Sequence, residues 1–439
     1  MKSIGFLRYK FNGNEVLSFI INILFLLLLL LNKNPLYLIL FYQNIRLKNS
    51  NDFVNLISKK IDLILIFGIG LRSFQLKSNE LLFKFHSFID FSSYDLILAE
   101  SIGILIFVFF KIWIKRYLKG DIKMSYISLY KLNFIFIIIL TIFLLGAGIK
   151  NQRGLIIFEI INKFIAVDLI LYIAFFSYIL SLKKKKKYLL PIILITIVSI
   201  LTGSRYIFLF VIFCLIYFFQ KIPNKSTFFW SIILFIIPFS LFFIVLISQT
   251  MRFGGDIYKL IELIQNTELQ NIIVSRITMR FNIIDGILLS LNSNQEFIEA
   301  GLSTKLNFNN FILSSVEQLF PMINFEKVNS FGQIIGKEFL INENVTSGYG
   351  GALGIAGSLI ILFRISILNT IFLPVTYFLI NFSKLYKTIP VKIFFVDSLI
   401  FFLIGGNFDS TLVRFTLNYI FFIIINLTFK PINRFDKGS

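Results

Sequence analysis

The stretch YDLILAESIGILIFVFFKIWI, residues 94–114, is followed directly by Lys115 and Arg116. Its apolar residues follow one another continuously rather than in alternation. An apolar run of about 20 residues is long enough to cross the hydrocarbon core of a membrane, which is about 30 Å thick. The stretch therefore predicts a membrane-spanning helix that ends in a basic cluster.

The composition of the whole chain agrees with this prediction. The 439 residues are 57% hydrophobic, 17% aromatic and only 15% charged. Soluble domains contain about 45–50% apolar and about 25% charged residues. A soluble fold could not hide this much apolar surface, because even large domains keep a polar shell. In lipid the backbone must satisfy its own hydrogen bonds, so continuous apolar runs predict helices rather than barrel strands.

The distribution of apolar runs predicts an all-α polytopic membrane protein with about twelve transmembrane helices. Residues 1–249 would hold about nine of them, 250–347 a large and partly helical loop, and 348–439 about three more with a tail. The predicted spans are 16–33, 35–46, 61–75, 94–114, 132–149, 164–182, 188–203, 205–220, 227–249, 349–382, 389–405 and 412–428.

The tenth span, 349–382, is too long for one straight crossing and starts in a glycine-rich segment, residues 348–357. We expect it to be broken or re-entrant in its first half. Small residues permit close helix packing, and we prefer that explanation of the glycines to a direct role in ligand binding.

Clusters of Lys and Arg between the runs indicate the orientation. Basic residues in short loops mark the cytoplasmic side, and the clusters alternate correctly if both termini are cytoplasmic. The loop 250–347 then lies outside, and it holds seven basic and ten acidic residues in a chain of net charge +20. Residues 256–266 and 268–291 look helical. The preference for Phe, Ile, Lys and Asn suggests an AT-rich bacterial genome, so we expect a bacterial inner-membrane protein.

Several kinds of chemistry have no support in the sequence. The only cysteine is Cys214 and the only histidine is His86, which argues against a disulfide and against a cysteine or histidine metal site. No GxxxxGK[ST] phosphate loop is present, so energy must come from the substrate or from an ion gradient. We expect no cofactor, no metal and no nucleic-acid partner, and we interpret the run of five lysines at 183–187 as a topology anchor.

Arg205 is the first candidate for function. It lies in Thr202-Gly203-Ser204-Arg205-Tyr206, between two apolar runs, so it must sit at the membrane edge or inside it. Charges inside a membrane are costly and are functional candidates by default. The alternative is an arginine that reaches to lipid headgroups. Ser204 and Tyr206 beside it would contact the ligand.

Arg276 and Arg280 form the second candidate. A spacing of four places both on one side of a helix, and neither has an acid three or four residues away. Such a pair suits a doubly charged anion, because the arginine fork matches phosphate; distant loop carboxylates could neutralise it instead. Arg252 and Arg414 could join them at the outer face. We expect Arg72 and Arg153 to contact headgroups.

The lipid-attached diphosphate is the natural anion at this interface, and a nearby carboxylate could serve as general base. The candidate bases are Asp256, Asp285, Glu317 and Glu338. The residues alone do not choose among them.

The layout as a whole resembles the Wzy-type polymerases of oligosaccharide repeat units, which are related to the O-antigen ligases. The resemblance covers the many helices, the Thr202-Gly203-Ser204-Arg205 motif and the large late loop. It also covers the exit of that loop through Gly332, Gly336 and Glu338 into residues 348–357. It implies a fold similar to the membrane glycosyltransferases of the GT-C class.

The resemblance implies a metal-independent glycosyltransferase that joins repeat units carried on undecaprenyl diphosphate into O-antigen (lipopolysaccharide) or capsule polysaccharide. The partners would be that lipid-linked oligosaccharide, membrane lipid and a regulator of chain length. The residues implied as catalytic are Arg205, Arg276, Arg280 and Glu338; those implied in substrate binding are Ser204, Tyr206, Arg252, Asp256, Tyr349 and Arg414.

Three alternatives remain open. A flippase for lipid-linked oligosaccharides would also be basic and polytopic, although it usually has two similar halves and short loops. The related ligases usually carry a histidine in the large loop, and none occurs between residues 250 and 347. A non-enzymatic component of the polysaccharide machinery would not require arginines at the lipid edge.

Overall fold

The structure is a computed structural model. It covers residues 10–46, 52–78, 91–118, 125–148, 166–181, 185–201, 206–223, 225–226, 229–230, 232, 236, 283–292, 307–320, 334, 353–405, 407–426 and 429–431.

These residues are mostly α-helical, and short antiparallel pairings join β1 (Lys10–Phe11) to β3 (Lys225–Ser226) and β2 (Ser125–Ile127) to β4 (Phe429–Pro431). The helices are α1 (Gly13–Asn32), α2 (Leu36–Arg46), α3 (Asp52–Leu65), α4 (Arg72–Ser78), α5 (Ser93–Tyr117), α6 (Leu129–Gly148), α7 (Val167–Leu180), α8 (Leu189–Leu201), α9 (Tyr206–Lys221), α10 (Ile283–Asn292), α11 (Phe308–Leu319), α12 (Gly354–Ile365), α13 (Phe372–Asn381), α14 (Ile389–Gly405) and α15 (Phe408–Asn426).

The chain divides into two compact units. The first consists of Met1–Leu118 and Phe208–Ser293, and the second of Lys119–Ile207 and Asn294–Ser439. The boundary at residue 293 falls inside the segment 250–347, so α10 belongs to the first unit and α11 to the second.

Local sequence signals explain where α1 and α5 begin. Asn12 accepts a hydrogen bond from the backbone N–H of Glu15 at 2.8 Å, and the Glu15 carboxylate accepts one from the Asn12 N–H. Ser92 and Asp95 form the same reciprocal capping box at the start of α5. Each box satisfies N–H groups that the first helical turn leaves unpaired.

In the first unit, α2 runs back along α1, and α10 packs against α5. Between α3 and α4 the chain forms a π-helix, Ile66–Leu71, so residues 52–78 make one continuous helical segment. Short π-helical turns inside α-helices are rare and occur frequently at functional sites.

In the second unit, α14 packs against α7 and α12, and α11 packs against α15. Tyr386, just before α14, is buried beside the rings of Phe395, Tyr419 and Phe422. This burial, together with Tyr419, raises the pKa of Tyr386 above its ordinary value.

A break is observed within 349–382, but at the middle of the stretch, residues 366–371, rather than in the first half as predicted. Helix α12 ends at Ile365, Ser366 is extended, and a short 3-10 turn, Ile367–Ile371, leads into α13. Close packing is confirmed at Gly354, which has φ +69° and where a Cβ would lie 2.5 Å from the backbone oxygen of Leu403.

Helices are observed at most of the predicted spans, including the first, 16–33, and the last, 412–428. The predicted span 227–249 lies almost wholly outside the described residues, as does the predicted helix 256–266, and the helix predicted over 268–291 is described only as α10. Among the described residues, α1 and α5 are long and apolar enough to span a membrane. The number of crossings stays a prediction.

Candidate functional site

Most of the candidate residues predicted from the sequence lie outside the described part of the chain. Tyr206 is the first residue of α9, and its side chain is not described. Arg414 is described in full, in α15. The others outside are Ser204, Arg205, Arg252, Asp256, Arg276, Arg280, Glu338 and Tyr349. Their roles remain predictions.

Arg414 pairs with an acid that the sequence analysis did not connect with it. Its Nη2 lies 3.4 Å from Oδ2 of Asp168 in α7, within the second unit. The Arg414 side chain is 42% exposed, whereas that of Asp168 is 9% exposed. The carboxylate therefore holds the guanidinium of a side chain that is itself partly exposed.

A buried polar cluster in the first unit is centred on Glu100 of α5. Oε1 accepts hydrogen bonds from Asn32 Nδ2 at 2.7 Å and from the Tyr37 hydroxyl at 2.5 Å. Oε2 accepts one from Asn34 Nδ2 at 3.3 Å, and Asn32 Nδ2 also lies 3.0 Å from the backbone oxygen of Gly70. We call these five residues the Glu100 cluster; its four polar side chains are all buried.

The sequence places the donors of this cluster at the turn between α1 and α2. Lys33 ends α1 in the left-handed region, with φ 57°, and Pro35 follows, so the helix cannot continue. The side chain of Asn34 accepts a hydrogen bond from the backbone N–H of Leu36, which starts α2. The turn therefore brings Asn32 and Asn34 to the same carboxylate.

The charge of Glu100 is compensated by neutral donors. In the described part of the chain it forms no ion pair. Lys77 acts on it electrostatically, and Lys77 Nζ donates to the backbone oxygen of Asn32 at 3.1 Å. A buried carboxylate without a counter-ion is costly unless it is well hydrogen-bonded, so the cluster is a strong candidate for function.

A fully buried ion pair joins α4 to α10. Arg72 Nε lies 3.1 Å and 3.3 Å from the two carboxylate oxygens of Asp285, and both side chains are 0% exposed. Gln75 accepts a further hydrogen bond from Arg72 at 3.4 Å. The expectation that Arg72 contacts headgroups is therefore wrong, because its guanidinium is enclosed by the helices. Asp285, one of the candidate bases, serves as an anchor for α10.

A second buried pair joins α5 to α3. Lys111 Nζ of α5 is 2.6 Å from Oδ1 of Asp62 in α3, and both side chains are almost fully buried. Lys59 and Lys60 of α3 are buried too; Lys59 donates to Asn14, and Lys60 lies over the ring of Phe213. Buried charges of this kind are costly unless they are paired or hydrogen-bonded, so this group of residues is a further candidate for function.

Helix α11 is anchored in the second unit by another buried acid. Oδ2 of Asp409 in α15 accepts hydrogen bonds from Ser314 Oγ at 2.7 Å and from Gln318 Nε2 at 3.1 Å. Both described helices of the segment 250–347 are thus fixed by a buried aspartate, α10 within the first unit and α11 within the second.

The arrangement indicates which chemistry the described residues offer. They include no group of three or more His, Cys, Asp or Glu side chains that could hold a metal ion. They do offer buried carboxylates, buried cations and oxygen-rich polar contacts between helices. The sequence contains a signal for these buried acids, because Glu100, Asp62 and Asp168 lie within predicted apolar spans. None of the three is among the candidates predicted from the sequence.

Comparison with known proteins adds no relative. No protein-family model matches the chain, and no match was found among curated proteins or solved structures.

Proposed function

We propose that the chain is an integral membrane protein with about twelve crossings, cytoplasmic termini and a GT-C-like fold. We further propose that it polymerises oligosaccharide units carried on undecaprenyl diphosphate at the outer face of a bacterial inner membrane. The apolar composition, the helices at the predicted spans and the basic clusters between them support the membrane part of this proposal.

The observation that carries the proposal is the anchoring of α10. Arg280 precedes Ile283, the first residue of α10, by three positions. Every residue of α10 from Ile283 to Ser290 is buried, and the Arg72–Asp285 pair ties the helix to α4. A loop segment fixed in this way can present the preceding arginines to a lipid diphosphate with little loss of entropy on binding.

In the proposed reaction, a sugar hydroxyl of one lipid-linked unit attacks the anomeric carbon of the glycan on another. The bond from that carbon to the diphosphate oxygen breaks, and undecaprenyl diphosphate leaves with the bonding electrons. Arg205, Arg276 and Arg280 would stabilise the charge that develops on the leaving group. Glu338 would accept the proton of the attacking hydroxyl.

The remaining candidates have supporting roles in this scheme. Ser204, Tyr206 and Arg252 would hold the diphosphate and its first sugar, and Asp256 and Tyr349 would contact the acceptor. Arg414, whose side chain is 42% exposed, would add positive charge to the binding site.

The test is reconstitution of the purified protein in vesicles with defined undecaprenyl-diphosphate-linked units. We expect a ladder of longer glycans without nucleotide or added metal. Arg205→Lys, and the double change of Arg276 and Arg280 to Lys, should abolish the ladder, because Lys cannot reproduce the bidentate fork. Arg116→Lys, an exposed position on α5, is the matched control and should leave the ladder unchanged. Normal ladders in the first two variants would remove these arginines from the site.

A transporter of lipid-linked oligosaccharides is the second candidate. The buried charged residues of the first unit favour it, because buried acids and bases in membrane helices often serve ion-coupled transport. In the same vesicles a flippase would move the oligosaccharide to the other leaflet without lengthening it. A ligase would instead transfer the glycan only to a separate lipid acceptor.

A further inference from the structure

A turn rich in lysine lies on the surface of the second unit. Residues Lys185–Tyr188 form a 3-10 turn that leads directly into α8, and we call them the lysine turn. The side chains of Lys186 and Lys187 are exposed, whereas Tyr188 is only 2% exposed. The turn packs against α7 and α8. Two adjacent lysines are therefore displayed on a turn whose last residue lies in the protein interior.

Tyr188 fixes the lysine turn to its surroundings. Its hydroxyl donates a hydrogen bond to the backbone oxygen of Ile127 in β2 at 2.7 Å. The backbone N–H of Ile127 in turn donates to Ser177 Oγ of α7 at 2.9 Å, and Ile127 pairs with Phe429 of β4. A topology signal requires only the charges of its lysines. A turn that is held by a buried tyrosine therefore indicates a role in which the positions of the lysines matter as well.

The elements around the lysine turn add positive charge. Lys131 lies in the first turn of α6, shortly after β2, and its side chain is half-buried. β4 contains Lys430, which pairs with Tyr126 of β2. The described residues of β2, of β4, of the lysine turn and of the first turns of α6 and α8 include no acid. This surface therefore attracts anions, because its lysines have no carboxylate among these neighbours.

Exposed apolar side chains beside the lysines indicate that this surface lies at a membrane boundary. Leu190 of α8, just after the lysine turn, is 64% exposed, and Tyr130, next to Lys131, is 82% exposed. Lysines at helix ends extend to the lipid headgroups while their apolar neighbours face the acyl chains, and tyrosines are enriched at the same depth. The anions nearest to these lysines are then the phosphates of lipids.

We propose that the lysine turn and Lys131 form a binding site for the phosphate of an anionic phospholipid such as phosphatidylglycerol. The ammonium groups donate hydrogen bonds to the phosphate oxygens and supply the opposite charge. The cationic choline of phosphatidylcholine cancels the charge of its phosphate, so the site selects the anionic lipid. The inference rests on the membrane location in the proposed function and is independent of the polymerase reaction.

The experiment measures equilibrium binding of a fluorescent phosphatidylglycerol to the purified full-length protein in a nonionic detergent. We expect saturable binding that unlabelled phosphatidylglycerol displaces and that phosphatidylcholine and inorganic phosphate do not. Changing Lys186 and Lys187 together to Gln should weaken binding by about tenfold or more, because two charges next to the headgroup are lost. Lys183, Lys184 and Lys185 remain in this variant as the topology signal.

Tyr188→Phe tests the fixed geometry of the turn without changing any charge. It removes the hydroxyl that holds the lysine turn to the backbone oxygen of Ile127. The lysines then spend less time in the binding arrangement, so the affinity for phosphatidylglycerol should fall by about threefold or more. A surface that acts only through its total charge predicts no change in this variant.

The matched control changes Lys221 and Lys225 together to Gln. Both are exposed lysines of the first unit, so the variant loses the same charge outside the proposed site, and its affinity should stay within about twofold of the unaltered protein. Equal binding of phosphatidylglycerol and phosphatidylcholine, or an equal loss in the two double variants, would overturn the proposal.

The lipid-binding test and the polymerase test fail separately, because lipid binding is measured without any glycan substrate. A glycan ladder from a protein that does not prefer phosphatidylglycerol would reject the lipid site and keep the polymerase. Selective lipid binding without a ladder would reject the polymerase and keep the lipid site.

Discussion

Breaking the Arg72–Asp285 pair should destabilise the first unit strongly. Asp285→Asn removes the negative charge but keeps the size of the side chain, and it leaves the Arg72 guanidinium charged at 0% exposure. Removing one partner of a buried ion pair costs about 3–5 kcal/mol. For a unit of about 200 residues, 1 kcal/mol shifts the unfolding midpoint by about 2–4 °C. We therefore expect a decrease of roughly 10 °C.

The two tryptophans of the chain make this measurable. Trp113 and Trp230 both belong to the first unit, so the temperature dependence of their fluorescence reports on that unit. Scans of the purified protein in detergent at one fixed heating rate allow variants to be compared even if unfolding is irreversible.

Two further variants give the experiment its control. Asp95→Asn, on the partly exposed start of α5, should cost no more than about 1 kcal/mol, because the asparagine oxygen can still accept the hydrogen bond from the Ser92 backbone N–H in the capping box. The double change of Arg72 to Met and Asp285 to Leu should recover most of the loss, since apolar pairs replace buried ion pairs at little cost. Equal unfolding temperatures for Asp285→Asn and Asp95→Asn would contradict a stabilising role of the ion pair. A double variant that unfolds at or below the temperature of Asp285→Asn would contradict it as well.

Two other substitutions test the packing of each unit. Tyr37→Phe should destabilise the protein by about 1–3 kcal/mol, because the carboxylate of the buried Glu100 cluster loses a hydrogen-bond donor. Tyr42, on the same helix, is 61% exposed, so Tyr42→Phe should leave the unfolding midpoint almost unchanged in the same thermal scans. Gly354→Ala should cost about 2–4 kcal/mol, because its φ is +69° and the new Cβ would meet backbone 2.5 Å away. In the control variant Gly103→Ala, the new Cβ meets only the flexible end of a side chain, so the free energy of unfolding should change by about 1 kcal/mol or less. Equal destabilisation by Gly354→Ala and Gly103→Ala would contradict the packing described at Gly354.

Helix positions could be predicted from the sequence because apolar length alone decides them. The helix predicted at 389–405 is observed with the same bounds, and the break in 349–382 follows from the length of that stretch, since it falls at 366–371, beyond the glycines of 348–357. Capping boxes that begin with Asn12 and Ser92 fix the starts of α1 and α5 locally.

Pairings between distant residues could not be predicted in the same way. Arg72 and Asp285 are 213 positions apart, and Arg414 and Asp168 are 246 apart. The local sequence does not show which acid pairs with which base, because the pairing depends on how the helices pack. For this reason the sequence predicts a headgroup contact for Arg72, because the predicted span contains the arginine but not the aspartate that pairs with it.

The predicted site and the observed polar clusters therefore rest on different signals. Arg205, Arg276 and Arg280 were chosen because they are basic and lack nearby acids in the sequence. The Glu100 cluster depends on neutral donors, Asn32, Asn34 and Tyr37, that no charge pattern reveals. An acid inside an apolar run was the only sequence signal for it.

The side of the membrane on which the segment 250–347 lies tests the central claim most directly. A single cysteine at position 300, introduced as Ala300→Cys in a Cys214→Ser background, can be labelled in intact cells with a reagent that does not cross the inner membrane. We predict that residue 300 is labelled from outside that membrane, on the same side as the diphosphate of the proposed substrate. Labelling only after the membrane is opened would place residue 300 in the cytoplasm and contradict the account.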